Sequence, residues 1–179
     1  AEALDAVHSA AQLFDRYSFD LIYGRPGQTT DDWNTELREA VNHAGDHLSV
    51  YQLTLEPGTP FHALWRRGKL DPIDEESAAA LFELTQDALT AMGMPAYEIS
   101  NHAAPGAESR HTLIYWRYGD YAGIGPGAHG RLTLDGKKVA TQRIRSPEAW
   151  LKAVETRGKG SETPEMLSTD TQLAEMMLM

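Results

Sequence analysis

Phe19-Asp20-Leu21-Ile22-Tyr23-Gly24-Arg25-Pro26-Gly27 reads as a short apolar strand closed by a turn with two breakers, and its neighbours on both sides make it one unit of a repeat. Upstream, Leu4, Val7, Ala11 and Phe14 recur at three-and-four spacing, which predicts a helix over Ala3 to Arg16 with one buried stripe. Downstream, Thr30 is expected to cap a second helix, with Asp31 and Asp32 at its positive end and Gly45 past its close. The unit then recurs: a strand over Leu48 to Leu55, a loop over Glu56-Pro57-Gly58-Thr59-Pro60, and a helix capped by Asp74, running to Met92 and followed by Gly93. A third strand is expected over Ala96 to Asn101. Such repetition predicts parallel strands with crossover helices, in an open α/β sheet or a (β/α) barrel.

From Ala103 the pattern changes, and the crowding of Gly, Pro and aromatic residues through Gly130 reads as irregular structure. Arg131 to Leu134, Asp135-Gly136, and Lys137 to Ile144 predict a hairpin, because Asp-Gly suits a two-residue turn of positive φ. Ser146-Pro147-Glu148 opens another helix, Gly158 ends it, and Ser161-Glu162-Thr163-Pro164 reads as a linker into a last helix.

The 179 residues carry 26 acidic against 16 basic side chains, a formal charge of −10, which leaves little to neutralise phosphates and argues against nucleic-acid binding. No run approaches the ~18 apolar residues of a membrane span, so a cytoplasmic protein of undetermined oligomeric state is expected. Cysteine is absent, and these residues alone supply no thiolate for a disulfide, a zinc site or an iron–sulfur cluster. Ala1 and Met179 both read as cut ends, the latter inside an apolar run.

Alternation puts Asp20, Ile22 and Gly24 on one face of the first strand. It puts Val50, Gln52 and Thr54 on one face of the second, leaving Tyr51, Leu53 and Leu55 to pack under helices; Glu98 and Ser100 share a face of the third. Three strands offering polar groups to one side imply a ligand or a polar network there, since an unpaired buried carboxylate is costly. The alternative is that Asp20 bonds local backbone and Glu98 pairs with an arginine. In parallel α/β folds ligands gather at the carboxyl ends of strands, here the turns after Tyr23 and Leu55.

His102, His111 and His129 raise the alternative of a metal-dependent (β/α) barrel enzyme, although their spacing matches no metal signature. A non-catalytic module that docks a partner is the other alternative. Gly123-Ile124-Gly125-Pro126-Gly127-Ala128-His129-Gly130 is not a dinucleotide loop, because it leads into a hairpin rather than a helix. Gly123, Gly125 and Gly127 permit either close approach to a bound group, the favoured reading, or positive φ in a tight loop.

The blocks Phe19 to Thr29, Ser49 to Pro60, Tyr97-Glu98-Ile99-Ser100-Asn101, His111-Thr112-Leu113-Ile114-Tyr115-Trp116 and Gly123 to Gly130 together resemble successive segments of one family. It is the oxygen-independent coproporphyrinogen III oxidase family, the HemN/HemW-like radical S-adenosylmethionine proteins. The blocks are more similar to the heme chaperone branch, which carries a His-Asn-x-x-Tyr-Trp motif associated with heme; Thr112 stands here at the Asn position, and His102 where the family pattern has an aromatic residue.

The resemblance implies an α/β fold: the later half of a partial (β/α) radical barrel over residues 1–102, a family-specific extension over 103–160 with the Gly/aromatic region, hairpin and helix, and the start of a C-terminal helical domain over 161–179. It implies S-adenosylmethionine and a [4Fe-4S] cluster in the intact protein, the cluster held by cysteines upstream, so these residues alone are expected to be inactive. Asp20 matches the carboxylate that bonds the cofactor ribose, and Ile22 and Thr54 match residues lining the adenosine. His111, Tyr115 and Trp116 are the implied contacts to heme or another tetrapyrrole. The implied activity is heme chaperoning or the oxidative decarboxylation of coproporphyrinogen III propionates, with a respiratory or membrane heme acceptor as partner.

Overall fold

The computed structural model describes residues 2–178, and the chain divides into two compact units, 1–108 and 109–179. In the first, α1 (Glu2–Leu13) precedes β1 (Asp20–Tyr23), α2 (Thr30–His43), β2 (His47–Gln52), α3 (Pro60–Arg66), α4 (Glu75–Ala91) and β3 (Asn101–Ala103). β1 and β2 are parallel, with α2 as the crossover between them, as the repeat predicts. The third strand departs from expectation. It begins at Asn101, not Ala96, and runs antiparallel to β2, because Tyr97 to Ser100 fold into a bend whose ends are tied by Tyr97 N–H donating to Asn101 O at 3.1 Å.

The register pairs Asp20 with Ser49, Leu21 with Val50, Ile22 with Tyr51 and Tyr23 with Gln52. Partners across a ladder share a face, so Leu21 and Tyr23 join Leu48 and Val50 on the side covered by α2 and α4. There Tyr23, Trp33, Leu37, Leu48, Val50, Leu81, Leu89 and Met94 form the core. This corrects the expected faces of the second strand: Val50 is buried under helices, whereas Tyr51 is 41% exposed on the open side.

Side-chain chemistry fixes the helix ends. Thr29, one residue earlier than expected, caps α2 in a reciprocal box with Asp32, and Asp74 caps α4 by accepting from Ser77 N–H at 2.8 Å. Gly45 serves a different purpose from a left-handed stop: an added Cβ would stand 3.2 Å from the Tyr17 ring, whose hydroxyl donates to His43 O. The stripe expected on α1 is not buried; Leu4 is 41% and Phe14, past the helix end, 63% exposed.

The second unit holds a second sheet. β4 (His129–Leu134) and β5 (Lys137–Gln142) form the expected hairpin, turning through Asp135 and Gly136 at φ 50° and 74°. Two elements lie where the sequence reading expected none: α5 (Arg110–Trp116), capped by Ser109, within the supposedly irregular region, and β6 (Glu165–Met166), which adds to β5 just after the expected linker. α6 (Pro147–Arg157) ends at Gly158 in the left-handed conformation as expected, and α7 (Thr169–Met177) follows. Glu175 anchors α7 by accepting from Arg131 at 2.6 Å and from the Tyr118 hydroxyl at 2.6 Å. Burial and this carboxylate push the Tyr118 phenol up to about 12. Among the described residues, no helix is long and apolar enough to cross a membrane.

The core of the first unit turns on one polar contact. Trp33 is fully buried, stacks on Tyr23 at 5.5 Å between centroids, and donates its indole N–H to Thr85 Oγ1 at 2.8 Å. Thr85→Val leaves that donor buried and unsatisfied, with an expected loss of about 1–3 kcal/mol in chemical denaturation. Adding Trp33→Phe to it should cost less than the sum of the two single changes, because donor and acceptor then leave together; a strictly additive pair would contradict this account.

Candidate functional site

The open face of the first sheet carries the polar residues that the helix-covered face excludes. At the carboxyl ends of β1 and β2, Ile22, Tyr51, Gln52, Leu53, Thr54 and Ser100 line a cleft of about 520 Å³. Its floor forms because the register brings Ile22 beside Tyr51, and its rim because the chain leaves β2 at Leu53 after donating its N–H to Tyr23 O at 2.8 Å. The turn that follows β1 is rigid. Gln28 Oε1 accepts from Gly24 N–H at 2.7 Å, Arg25 pairs with Glu36, and Gly24 has φ +76°, with the Ile73 side chain against the space a Cβ would fill.

Of the residues expected to hold a cofactor, Ile22 and Thr54 share this cleft. Asp20 lies on the Ile22 face two residues earlier, about 6.6 Å along the strand, and outside the cleft lining. Its carboxylate is exposed and makes no hydrogen bond or ion pair among the described residues, so the alternative that it bonds local backbone is not realised. Glu98 does have a local role, though not with an arginine: it accepts from Ser100 N–H at 3.0 Å and from the Asn101 side chain. Tyr51 and Ser100 complete the lining. Sequence alternation missed Tyr51 by phasing the second strand one residue out; its pairing with Ile22 is the signal that finds it.

Deeper on the same face, Ser49 donates to Asn101 Oδ1 at 2.9 Å, and His47 bridges Ser18 Oγ at 2.8 Å and the Tyr97 hydroxyl at 2.7 Å. Burial holds the His47 imidazole below its ordinary pKa, against the pull of Asp46, Asp20 and Glu98. His102 pairs with Leu48 in the antiparallel register and so faces the core, fully buried, with neither ring nitrogen hydrogen-bonded. Burial depresses its pKa too. Its position is that of an apolar core side chain, which suits the aromatic residue of the family pattern better than a ligand.

In the second unit, His111 and Tyr115 sit one turn apart on α5, a helix rather than the expected loop. Their rings meet edge to face at 4.8 Å, with Tyr115 OH 3.1 Å from His111 Nε2, and Tyr115 packs on Tyr121 at 4.6 Å. His111 is exposed and Trp116 is 38% exposed, on another side of the helix. The glycine segment approaches its own backbone. A Cβ on Gly123 would lie 2.3 Å from His129 O, while Gly125 and Gly127 adopt φ +94° and +73°. Among the described residues, no group of three His, Asp or Glu side chains is arranged to hold a metal ion, so the three-histidine alternative finds no geometry.

No protein-family model matches the chain. It is 38% identical over 184 residues to the mouse protein "Radical S-adenosyl methionine domain-containing protein 1, mitochondrial", covering all of this chain and 42% of that protein. It is 40% identical over 138 residues to "Heme chaperone HemW" of Escherichia coli, covering 75% of this chain and 35% of the relative. The solved structure titled "Coproporphyrinogen III oxidase (HemN) from Escherichia coli is a Radical SAM enzyme" shares the fold with a TM-score of 0.68 at 18% identity, over 97% of this chain and 42% of that one. The chain thus spans about two fifths of the length of these proteins.

The two buried imidazoles make stability depend on acid. Above their ordinary pKa of 6.5 both are neutral folded or unfolded, and their contribution is complete. As pH falls below that value, the unfolded chain takes up protons that the folded chain accepts only below its depressed values, so stability is lost at up to about 1.4 kcal/mol per pH unit for each histidine. Denaturant unfolding of the intact protein at a series of pH values from about 7.5 to 5 measures this slope. His102→Leu should flatten it; an unchanged slope would remove His102 as a source.

Proposed function

We propose, from the premise that this chain belongs to the HemN/HemW-like radical S-adenosylmethionine family, that its open sheet face holds the adenosine part of S-adenosylmethionine and that the intact protein serves heme metabolism as a heme chaperone. The cleft at the carboxyl ends of β1 and β2 carries this reading. Ile22 and Tyr51 offer apolar and aromatic surface for a base, Thr54 and Ser100 offer hydroxyls, and the free carboxylate of Asp20 is an acceptor for ribose hydroxyls. The residues present fit an adenosine. They do not hold the [4Fe-4S] cluster that the family implies, since no cysteine is among them, and its ligands belong to the part of the relatives that this chain does not span.

When bound to such a cluster, S-adenosylmethionine supplies one-electron hydrogen-abstraction chemistry; the share of this chain is orientation. The parallel register holds Ile22 and Tyr51 side by side, and the turn locked by Gln28 keeps the mouth of the cleft in place. In this reading residues 1–102 are the later half of the barrel, 103–160 an extension and 161–179 the beginning of a helical domain. Heme is taken by His111. Tyr115 orients its imidazole through Nε2, leaving Nδ1 facing outward for iron or exchanging the hydroxyl for the metal. A cytoplasmic location and a membrane heme acceptor complete the reading. Propionate decarboxylation, as the name of the structural neighbour states for that enzyme, is the rival activity.

Equilibrium binding of S-adenosylmethionine to the reconstituted intact protein tests the cleft. Asp20→Ala should weaken binding by about 1.5–3 kcal/mol, and Asp20→Asn by less because one oxygen still accepts. Unchanged affinity in a folded Asp20→Ala protein would return Asp20 to a structural role. Heme titration tests the second part: His111→Ala should weaken binding or shift the absorption spectrum, Thr112→Asn is the companion change next to the imidazole, and His8→Ala on α1 should do neither. Tight heme binding that His111→Ala leaves intact would move the ligand elsewhere.

A further inference from the structure

α5 presents a second face that the heme reading does not use. Arg110, Leu113, Ile114 and Arg117 recur at the three-, four- and seven-residue spacing of a single helical stripe, and with Gly119 they line a groove of about 260 Å³. His111 and Tyr115 fall on the adjoining stripe, roughly 100° further round the helix at 3.6 residues per turn. The groove wall is apolar in the middle and cationic at both ends. Among the described residues neither guanidinium makes a hydrogen bond or ion pair, and both side chains are exposed.

That isolation is informative. The chain carries 26 acidic residues against 16 basic ones, and other arginines have found carboxylates: Arg25 pairs with Glu36, Arg16 with Asp46 and Arg131 with Glu175. Arg110 and Arg117, seven residues apart, stand about 10 Å from each other along the helix axis. Each offers a planar fork suited to a carboxylate, and Leu113 and Ile114 fill the space between them.

We propose that this groove is a carboxylate clamp for a tetrapyrrole: Arg110 and Arg117 each bind one propionate of a flat, apolar dicarboxylate whose edge rests on Leu113 and Ile114. The inference rests on the tetrapyrrole reading above and adds to it a contact that requires no metal. The clamp recognises the acid groups, and His111 on the adjoining stripe recognises iron. An amphiphile with a single acid group, or a partner protein without paired carboxylates, satisfies only one of the two cations.

Because the clamp is independent of iron, metal-free mesoporphyrin IX is the probe, its binding to the intact protein followed by fluorescence, with its dimethyl ester as the form lacking both acids. The wild type should bind the free diacid at least about tenfold more tightly than the ester. The double variant Arg110→Gln/Arg117→Gln should abolish that preference, with each single variant in between. His111→Ala should leave the preference intact while altering binding of iron-containing heme, and Arg67→Gln, on the other unit, should change neither. The double change removes exposed side chains without partners, and the ester comparison needs no mutation, so loss of folding does not confuse the result. Equal affinity for diacid and ester, a preference that survives the double variant, or no binding of the diacid overturns the clamp. Binding of diacid with the predicted preference but no binding of heme would uphold the clamp and overturn histidine ligation.

Discussion

The parallel pairing of β1 with β2 sets everything else in the first unit. With Ile22 beside Tyr51, Leu21 and Tyr23 join Leu48 and Val50 beneath α2 and α4, where burial of apolar surface stabilises the unit. The opposite face is left to Asp20, Ser49, Tyr51 and the polar bend before β3. Slipping the pairing by one residue would put Tyr51 and Ser49 into the core and Val50 into the cleft. The Trp33 to Thr85 hydrogen bond reinforces the choice by tying α2 to α4 across the buried side. The cleft exists because the core is elsewhere.

That same face shows where polar residues are structural and where they are available. Ser49, Asn101 and Glu98 are occupied with one another, as are Ser18, His47 and Tyr97. Asp20, Thr54 and Tyr51 are not consumed in this way, which is why they carry the functional reading. His102 sits on the other side of the ladder, in apolar surroundings, and its cost is a dependence on pH rather than a ligand site.

Much of this was legible in the sequence, because local chemistry wrote it. Asp135-Gly136 specified its hairpin turn, Asp74 and Ser146 their caps, and Gly158 its helix end. What failed depended on contacts distant in the chain. The phase of the second strand is set by its partner rather than by its own alternation, so Val50 and Tyr51 exchanged roles. The bend at Tyr97 to Ser100 is held by Glu98 reaching back to Ser100 and Asn101, which no strand pattern reveals. α5 is short, and its aromatic and glycine-rich surroundings masked the stripe of Arg110, Leu113, Ile114 and Arg117. Within the candidate site, Ile22 and Thr54 were found by the resemblance to the family, whereas Tyr51 needed the register.

The central claim is that the carboxyl-end cleft of β1 and β2 receives the adenosine. Methyl NMR of the intact protein titrated with S-adenosylhomocysteine, which carries the same adenosine without the reactive sulfonium, reports on it directly. The account predicts that the methyls of Ile22, Leu53 and Thr54 shift together and saturate with one affinity, while those of Leu48 and Leu81 beneath the helices stay in place. Shifts in the core methyls or elsewhere, with the cleft methyls unmoved by a ligand that demonstrably binds, would contradict it.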